Sequence, residues 1–531
     1  MTLRMIRIGI AAVFFAAMVF FFLDFTQTLP NGVAFFERIQ LVPAILAGAF
    51  FSLAALAVLT LIFGRLYCSV ICPLGIFQDV IARMTRLFFK RKYAYAPGHT
   101  RVRYLFFVLA AGLGILSAGW LGFFDPYAIF GRTVNLCLAP LWRSANNFLA
   151  SHGATLGGEP FYRVDYIRTS GVTLAVSAVT LVLIVGLAAK YGRLYCNTFC
   201  PVGALLGFLS RFALLKIRID QTKCVSCGKC AGFCKGSCID SKEKRIDTSR
   251  CVVCFDCLTD CPKKAIFYSL PRATPTQVRT PKKDESAAVS DAVQASGSSE
   301  VKESKRRFLS TLFAISAAAC GISRVRWAHA AEAPAISYNG HVPYKREGAI
   351  SPPGSVSYAH FQTRCVSCHL CVAKCPSKAL APSLWEYGPA GILQPTVVFT
   401  DHSFCNFDCT ICGEVCPTGA ILPLTKEQKH VEQIGRVEFI PENCVVVTDG
   451  TNCGACAEHC PTQAVHMIAY KGALTIPEIA PELCVGCGAC ESICPVRPFR
   501  AIHVEGLAVH GKATPPPAEK KQEIKIDDFG F

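Results

Sequence analysis

Methionine is scarce in this chain of 531 residues: there are five, scattered, and they form no copper-binding Met box. No phosphate loop, no dinucleotide fingerprint and no hydrolase triad can be found. Nucleotide-driven and hydrolytic chemistry are therefore not indicated. A fully paired disulfide framework is excluded as well, because the cysteines number 31, which is odd.

Those cysteines set the class. Six groups of four hold 24 of the 31, with neighbours mostly two or three residues apart. Thiols that close seldom bridge each other, but they can wrap a metal cluster. The net charge of +17 raises nucleic acid as a partner. Many of the cations, among them Arg83, Arg86, Lys90, Arg91, Lys92, Arg101 and Arg103, flank apolar segments instead. That placement points to membrane orientation, and no nucleic-acid partner is expected.

Four apolar stretches approach spanning length, near Ile6–Leu23, Leu41–Phe63, Tyr104–Phe124 and Val172–Ala189. Arg4 and Arg7 favour a cytoplasmic N-terminus, so the basic loop from Arg83 to Arg103 lies inside and Asp125–Gly171 outside. Within this half, Gly64-Arg-Leu-Tyr-Cys-Ser-Val-Ile-Cys-Pro-Leu-Gly75 recurs as Gly192-Arg-Leu-Tyr-Cys-Asn-Thr-Phe-Cys-Pro-Val-Gly203. Duplication brings Cys68, Cys72, Cys196 and Cys200 close together at the cytoplasmic membrane surface. They could ligate an additional membrane-surface cluster, serve as redox thiols at a quinol entry site, or be plain buried cysteines. Arg65, Tyr67, Arg193 and Tyr195 recur with them as candidate quinone ligands, or as interface anchors. Ser170-Gly-Val-Thr173 faintly resembles a covalent flavin attachment sequence, but it opens an apolar helix.

The expected architecture is multi-domain. A four-helix membrane domain covers 1–215, and an α+β ferredoxin-like module covers 216–270. A linker poor in large apolar residues follows at 271–303. Residues 304–330 form a fifth, signal or anchor helix: Ser304-Lys-Arg-Arg-Phe-Leu309 precedes an apolar run and Ala328-His-Ala330, as in a twin-arginine export signal with Lys-Arg in place of the pair. A second linker at 331–360, a four-cluster module at 361–510 and a tail at 511–531 complete the chain.

The bacterial ferredoxin run is Cys-x2-Cys-x2-Cys-x3-Cys-Pro. Three thiolates on a tight loop reach one cluster; the fourth is expected to start a helix leading away and to ligate the partner cluster, with proline in that helix's first turn. The run is complete at Cys251, Cys254, Cys257, Cys261, at Cys365, Cys368, Cys371, Cys375 and at Cys484, Cys487, Cys490, Cys494. Wider first gaps mark Cys405, Cys409, Cys412, Cys416 and Cys444, Cys453, Cys456, Cys460. The sixth, Cys224, Cys227, Cys230, Cys234, lacks the proline and has Cys238 close behind as a rival fourth ligand. The crossover rule gives Cys224, Cys227, Cys230 with Cys261, and Cys251, Cys254, Cys257 with Cys234. The four outer motifs could pair first with second and third with fourth, or first with fourth and second with third. Cys365-Val-Ser-Cys368-His369 also fits a c-type haem attachment, but Cys371 and Cys375-Pro376 complete a ferredoxin run instead. The same three-cysteine loops argue against zinc.

On these motifs, residues 1–268 resemble a NapH-type membrane ferredoxin and 304–505 resemble a NapG/MauM-type ferredoxin, as if the two were fused. The membrane half is also similar to NosR and to an oxidase assembly protein with the same Cys-Pro motifs. The resemblance implies six [4Fe–4S] clusters and a multi-pass protein of the bacterial inner membrane. Its N-terminal half faces the cytoplasm and its C-terminal clusters the periplasm. Electrons would pass from membrane quinol to a periplasmic multihaem cytochrome or molybdenum reductase, as in the nitrate reductase system. Maturation of a periplasmic metalloenzyme and redox sensing are the alternatives.

Overall fold

The computed structural model describes residues 3–270 and 341–515, apart from 25–28, 30, 91, 153–161, 165, 168 and 401–402. The linker expected at 271–303, the signal-like helix at 304–330, the first part of the second linker (331–340) and the tail beyond 515 lie outside the described residues. The chain divides into two units, 1–271 together with 344–531, and 272–343.

Leu3–Leu23 and Gly171–Tyr191 are unbroken helices of 21 residues with mean hydropathy 2.4 and 2.5. At about 1.5 Å per residue each is roughly 30 Å long, enough to cross a bilayer. Among the described residues these two alone reach that length. The other two expected spans are each broken. Gly48, at φ +68°, separates Leu41–Leu46 from Phe50–Phe63. Ser117 is extended between Thr100–Leu116 and Ala118–Gly122. Its hydroxyl caps the second helix by accepting from the Gly119 N–H, and donates to the Ala390 carbonyl 2.6 Å away.

Both copies of the repeat fold alike. Gly64 and Gly192, at φ +78° and +67°, end the apolar helices Phe50–Phe63 and Gly171–Tyr191. Short turns Tyr67–Val70 and Leu194–Thr198 follow. Cys72 and Cys200 are then the N-caps of Pro73–Phe89 and Pro201–Leu209, with proline at the first helical position, where its missing N–H costs nothing.

The ferredoxin-like modules are small α+β units of two-stranded antiparallel sheets. In the first, Lys216–Ile219 pairs with Ile266–Ser269 and Ile239–Asp240 with Arg245–Ile246. In the C-terminal module the pairs are Leu380–Pro382 with Pro395–Val397, Val465–Ala469 with Thr475–Ile479, and Glu432–Phe439 with the long Ile502–Lys512.

The two modules sit at opposite ends of Leu3–Leu23. At its start, Arg4 pairs with Asp256 of the first module at 3.0 Å. Just beyond its end, Asp24 pairs with Lys374 of the C-terminal module at 2.6 Å, both side chains buried. Further contacts dock the C-terminal module: Arg132 donates to the Ser367 carbonyl, and Arg38 to that of Glu414.

Candidate metal centres

The backbone explains how three cysteines on one loop turn inward. In the Cys-x2-Cys-x2-Cys runs, one residue in each gap adopts φ between about +53° and +75°: Ser226 and Gly228, Val253 and Phe255, Ser367 and His369, Gly486 and Gly488. This left-handed conformation costs a non-glycine residue energy, and the surrounding fold must hold it. The widened motifs lack it at the corresponding place, Thr410 and Gly454 having φ of −114° and −127°.

Six sets of four thiols result. Cys224, Cys227 and Cys230 line a cavity with Cys261. Cys251, Cys254 and Cys257 line one with Cys234 and Cys238. Cys405, Cys409 and Cys412 enclose a cavity with Cys375, and Cys444, Cys453 and Cys456 with Cys494. Cys416 is the charge neighbour of Cys365, Cys368 and Cys371, and Cys460 of Cys484, Cys487 and Cys490. Outer motifs therefore pair first with second and third with fourth, a choice the spacing left open. The donor set suits iron–sulfur clusters: grouped thiols, around a cavity in four of the sets, with all of them free of disulfides. Among the described residues no three His, Cys, Asp or Glu converge on a single point, as a lone metal ion requires. Burial pushes the Cys368, Cys456 and Cys487 thiols up to about 12, so metal loading must release protons from them.

The fourth cysteine departs from expectation. Cys375, Cys416 and Cys494 do not start a helix but end one, as C-caps of Leu370–Lys374, Ile411–Val415 and Ala489–Ile493. The proline that follows stops the helix. Cys234 caps Lys229–Phe233 with a similar extended backbone, which fits it as the ligand, while Cys238 lies 3.5 Å from it as a fifth thiol. Lys235 stands where proline is missing, and it has work there. Its carbonyl accepts from the Arg193 N–H, and its buried ammonium meets Asp79 at 3.5 Å and Asp256 at 3.0 Å. The His369 Nε2–H donates to the Leu393 carbonyl, 2.7 Å away, and His369 is the N-cap of the helix after Cys368, so it is committed to the loop.

Cys68, Cys72, Cys196 and Cys200 do converge, and all four are buried in one apolar core. The repeat crosses over itself: Arg65 donates to the Cys196 carbonyl at 3.2 Å, and Arg193 to the Cys68 carbonyl at 2.5 Å. Gly75 and Gly203 permit this approach, since a Cβ would lie 2.3 Å from the Cys68 oxygen and 2.0 Å from that of Cys196. The remaining candidates are turned inward too. The Tyr67 hydroxyl donates to Gln40 and that of Tyr195 to the Phe124 carbonyl. Arg65, Tyr67, Arg193 and Tyr195 thus bond within the protein.

Sequence reading missed Asp79, on which Arg7, Arg193 and Lys235 converge. An acid in an otherwise apolar helical stretch is costly, and that alone could have flagged it. It also missed an open cleft of about 1030 Å³ beside Cys227, bordered by Arg86, Lys90, Lys92, Lys229 and Lys242.

Comparison with known proteins finds iron–sulfur domains and ferredoxin-type relatives. Residues 45–94 and 173–220 each match the family model of a 4Fe-4S binding domain, and 404–464 and 449–497 that of a 4Fe-4S dicluster domain. This chain carries 4Fe-4S ferredoxin-type domains. It is 27% identical over 192 residues to YccM of Escherichia coli (strain K12), covering 36% of this chain and 47% of YccM. It is 32% identical over 143 residues to the methylamine utilization ferredoxin-type protein MauM of Methylobacillus flagellatus, covering 26% and 60%. The ferredoxin-type protein NapF of E. coli K12 is 28% identical over 166 residues, 31% of this chain and 90% of NapF. The chain thus spans about half to three fifths of the first two relatives. No solved structure matches. These homologies support iron–sulfur electron transfer.

Proposed function

We propose that this chain is an inner-membrane electron conduit that joins a NapH-type quinol-oxidising half to a NapG-type periplasmic half. Six [4Fe–4S] clusters fill the six thiol sets, and each bound cluster takes up and releases one electron. The observation that carries the reading is a single buried core. It contains Cys68, Cys72, Cys196 and Cys200, with Cys254 of the first module and Cys368 of the C-terminal module packed against it. Protein matter containing sulfur thus connects modules at opposite ends of a helix long enough to span. Only 33% and 22% of the apolar windows of Leu3–Leu23 and Gly171–Tyr191 are buried inside the protein, which supports acyl chains as their outer surroundings. The first module faces the cytoplasm, and the C-terminal module delivers electrons to a periplasmic multihaem cytochrome or molybdenum reductase. The chain's own residues hold the clusters, fix their spacing and keep water from the core.

A second reading concerns the donor. Cys227 is exposed, and the cleft beside it is lined by five cations against Asp240 and Asp260. An acidic soluble electron carrier would be steered there, and electrons would enter at the first module instead of from quinol. The test is anaerobic: purified protein in detergent is mixed with menaquinol or ubiquinol, and cluster reduction is followed by low-temperature electron paramagnetic resonance. Quinol-dependent reduction lost in Cys68→Ser supports the quinol route. If fully loaded protein with a high-potential acceptor oxidises no quinol, that route is abandoned.

A further inference from the structure

Each copy of the repeat supplies two thiols, so neither of its two family matches contains a complete ligand set. We propose that Cys68, Cys72, Cys196 and Cys200 together ligate one further iron–sulfur centre, shared across the repeat and lying between the two ferredoxin-like modules. The inference rests on the conduit reading and supplies its middle.

Charge favours such a centre. Arg65 is 0% exposed, yet its guanidinium meets no carboxylate among the described residues. Its partners are the Asn197 amide oxygen and Ser249 carbonyl, both at 2.9 Å, the Cys196 carbonyl, and the Cys68 sulfur at 3.8 Å. Arg103, also buried, bonds to the Gly203 carbonyl and Ser249 and feels the charge of Asp247 without pairing to it. Arg193 does have Asp79 at 2.8 Å, but its Nη2 has no hydrogen-bond partner. A buried cation without an anion is strongly destabilising. Four neutral thiols provide no anion. Four thiolates around an iron–sulfur core carry about two negative charges in total, enough to balance Arg65 and to add to what Asp247 gives Arg103.

The surroundings of the sulfurs favour it too. Gln78 donates to Cys196 Sγ at 3.3 Å, the Gly203 N–H to Cys200 Sγ at 3.3 Å, and the Gly75 N–H serves Cys72 in the same way. With Arg65 at Cys68, every sulfur is met by an N–H group. Such donors accompany ligating thiolates and tune the potential of their cluster.

Spacing agrees with both. All four thiols are free and share one buried core, yet no three come close enough together to hold a single ion. The six ferredoxin-like sets have that same property.

Iron and acid-labile sulfide, counted per chain in anaerobically purified full-length protein, provide the test. Six [4Fe–4S] clusters account for about 24 irons, and the shared centre raises the total to about 26 if it is [2Fe–2S] or about 28 if it is [4Fe–4S]. Mössbauer spectra should show that increment disappear in Cys68→Ser/Cys196→Ser while the remaining signals persist. A wild-type total that stops at six clusters overturns the proposal, as does an increment that survives in the double variant. If the variant does not accumulate, the wild-type count decides, together with alkylation: thiols at 68, 72, 196 and 200 that label as freely in native as in iron-stripped protein overturn it. Quinol turnover is a separate readout, so an empty core and a failed quinol route give different results.

Discussion

Replacing Asp79 with asparagine keeps its shape and removes its charge. Arg7 meets it at 3.0 Å, Arg193 at 2.8 Å and Lys235 at 3.5 Å, and all four side chains are buried. The cost does not multiply by three. Lys235 keeps Asp256 at 3.0 Å, and Arg7 keeps the Ser69 carbonyl at 3.3 Å. Arg193, 1% exposed, is left with the Cys68 carbonyl and no carboxylate. One broken buried pair costs about 3–5 kcal/mol. Asp79→Asn should therefore lower the unfolding free energy in detergent by about that much, read as a shifted urea midpoint at constant slope. Glu243→Gln, which touches the exposed Arg245 pair, should change it by less than about 0.5 kcal/mol. Adding Arg193→Gln to Asp79→Asn should recover part of the loss, because the stranded cation is gone. An Asp79→Asn protein within about 1 kcal/mol of wild type would refute the reasoning.

Three further expectations follow from the same geometry. Cys375→Ser should leave Cys405, Cys409 and Cys412 open to alkylation while Cys365, Cys368 and Cys371 stay protected; the reverse labelling would reject the first-with-second pairing. Lys374→Met strands buried Asp24 and should loosen the C-terminal module from the helical region, seen as faster amide exchange around 366–374, with Asp24→Asn restoring protection in the double variant. His503 is held down at about 4 by burial, with Arg346 adding to the effect, against about 6.5 unfolded. The unfolded chain therefore takes the proton first, and stability falls as pH drops from about 6.5 to 4. The gap between the two values corresponds to a loss of at most about 3 kcal/mol, and Glu438 and Glu505, at 3.5 and 3.4 Å, favour the cation and reduce it. His503→Phe, which keeps the stack on Tyr344, should flatten that slope in acid titrations of thermal stability, and an unchanged slope would count against it.

Local spacing was legible, and long-range contact was not. The three-cysteine loops depend on residues within seven positions, so their chemistry could be read directly from the chain. The repeat likewise announced that Cys68, Cys72, Cys196 and Cys200 meet. Helix continuity was harder to read. Hydropathy sees Leu41–Phe63 and Tyr104–Phe124 as unbroken runs, but the breaks at Gly48 and Ser117 depend on one backbone angle and on a hydroxyl bonded to Ala390, far away in sequence. The pairing of the outer motifs was hidden for a similar reason. It depends on which short helices pack together, and Leu370–Lys374 lies against Ile411–Val415.

Departures from the motif proved as informative as its matches. A proline after Cys234 would have served that loop as it serves Cys375, Cys416 and Cys494. Lysine there stops no helix, but its ammonium links Asp79 of the repeat to Asp256 of the first module, and its carbonyl takes the Arg193 N–H. A residue fitted to its own cluster loop alone would have left a seam between the module and the helical half. Lys235 closes that seam with buried charge, a poor source of net stability but a demanding specifier of geometry, because any displacement leaves ions unpaired in an apolar medium. Electron transfer needs centres held at fixed spacing more than it needs surplus stability. On that ground the position without proline is the joint through which the first module is registered to the four core thiols.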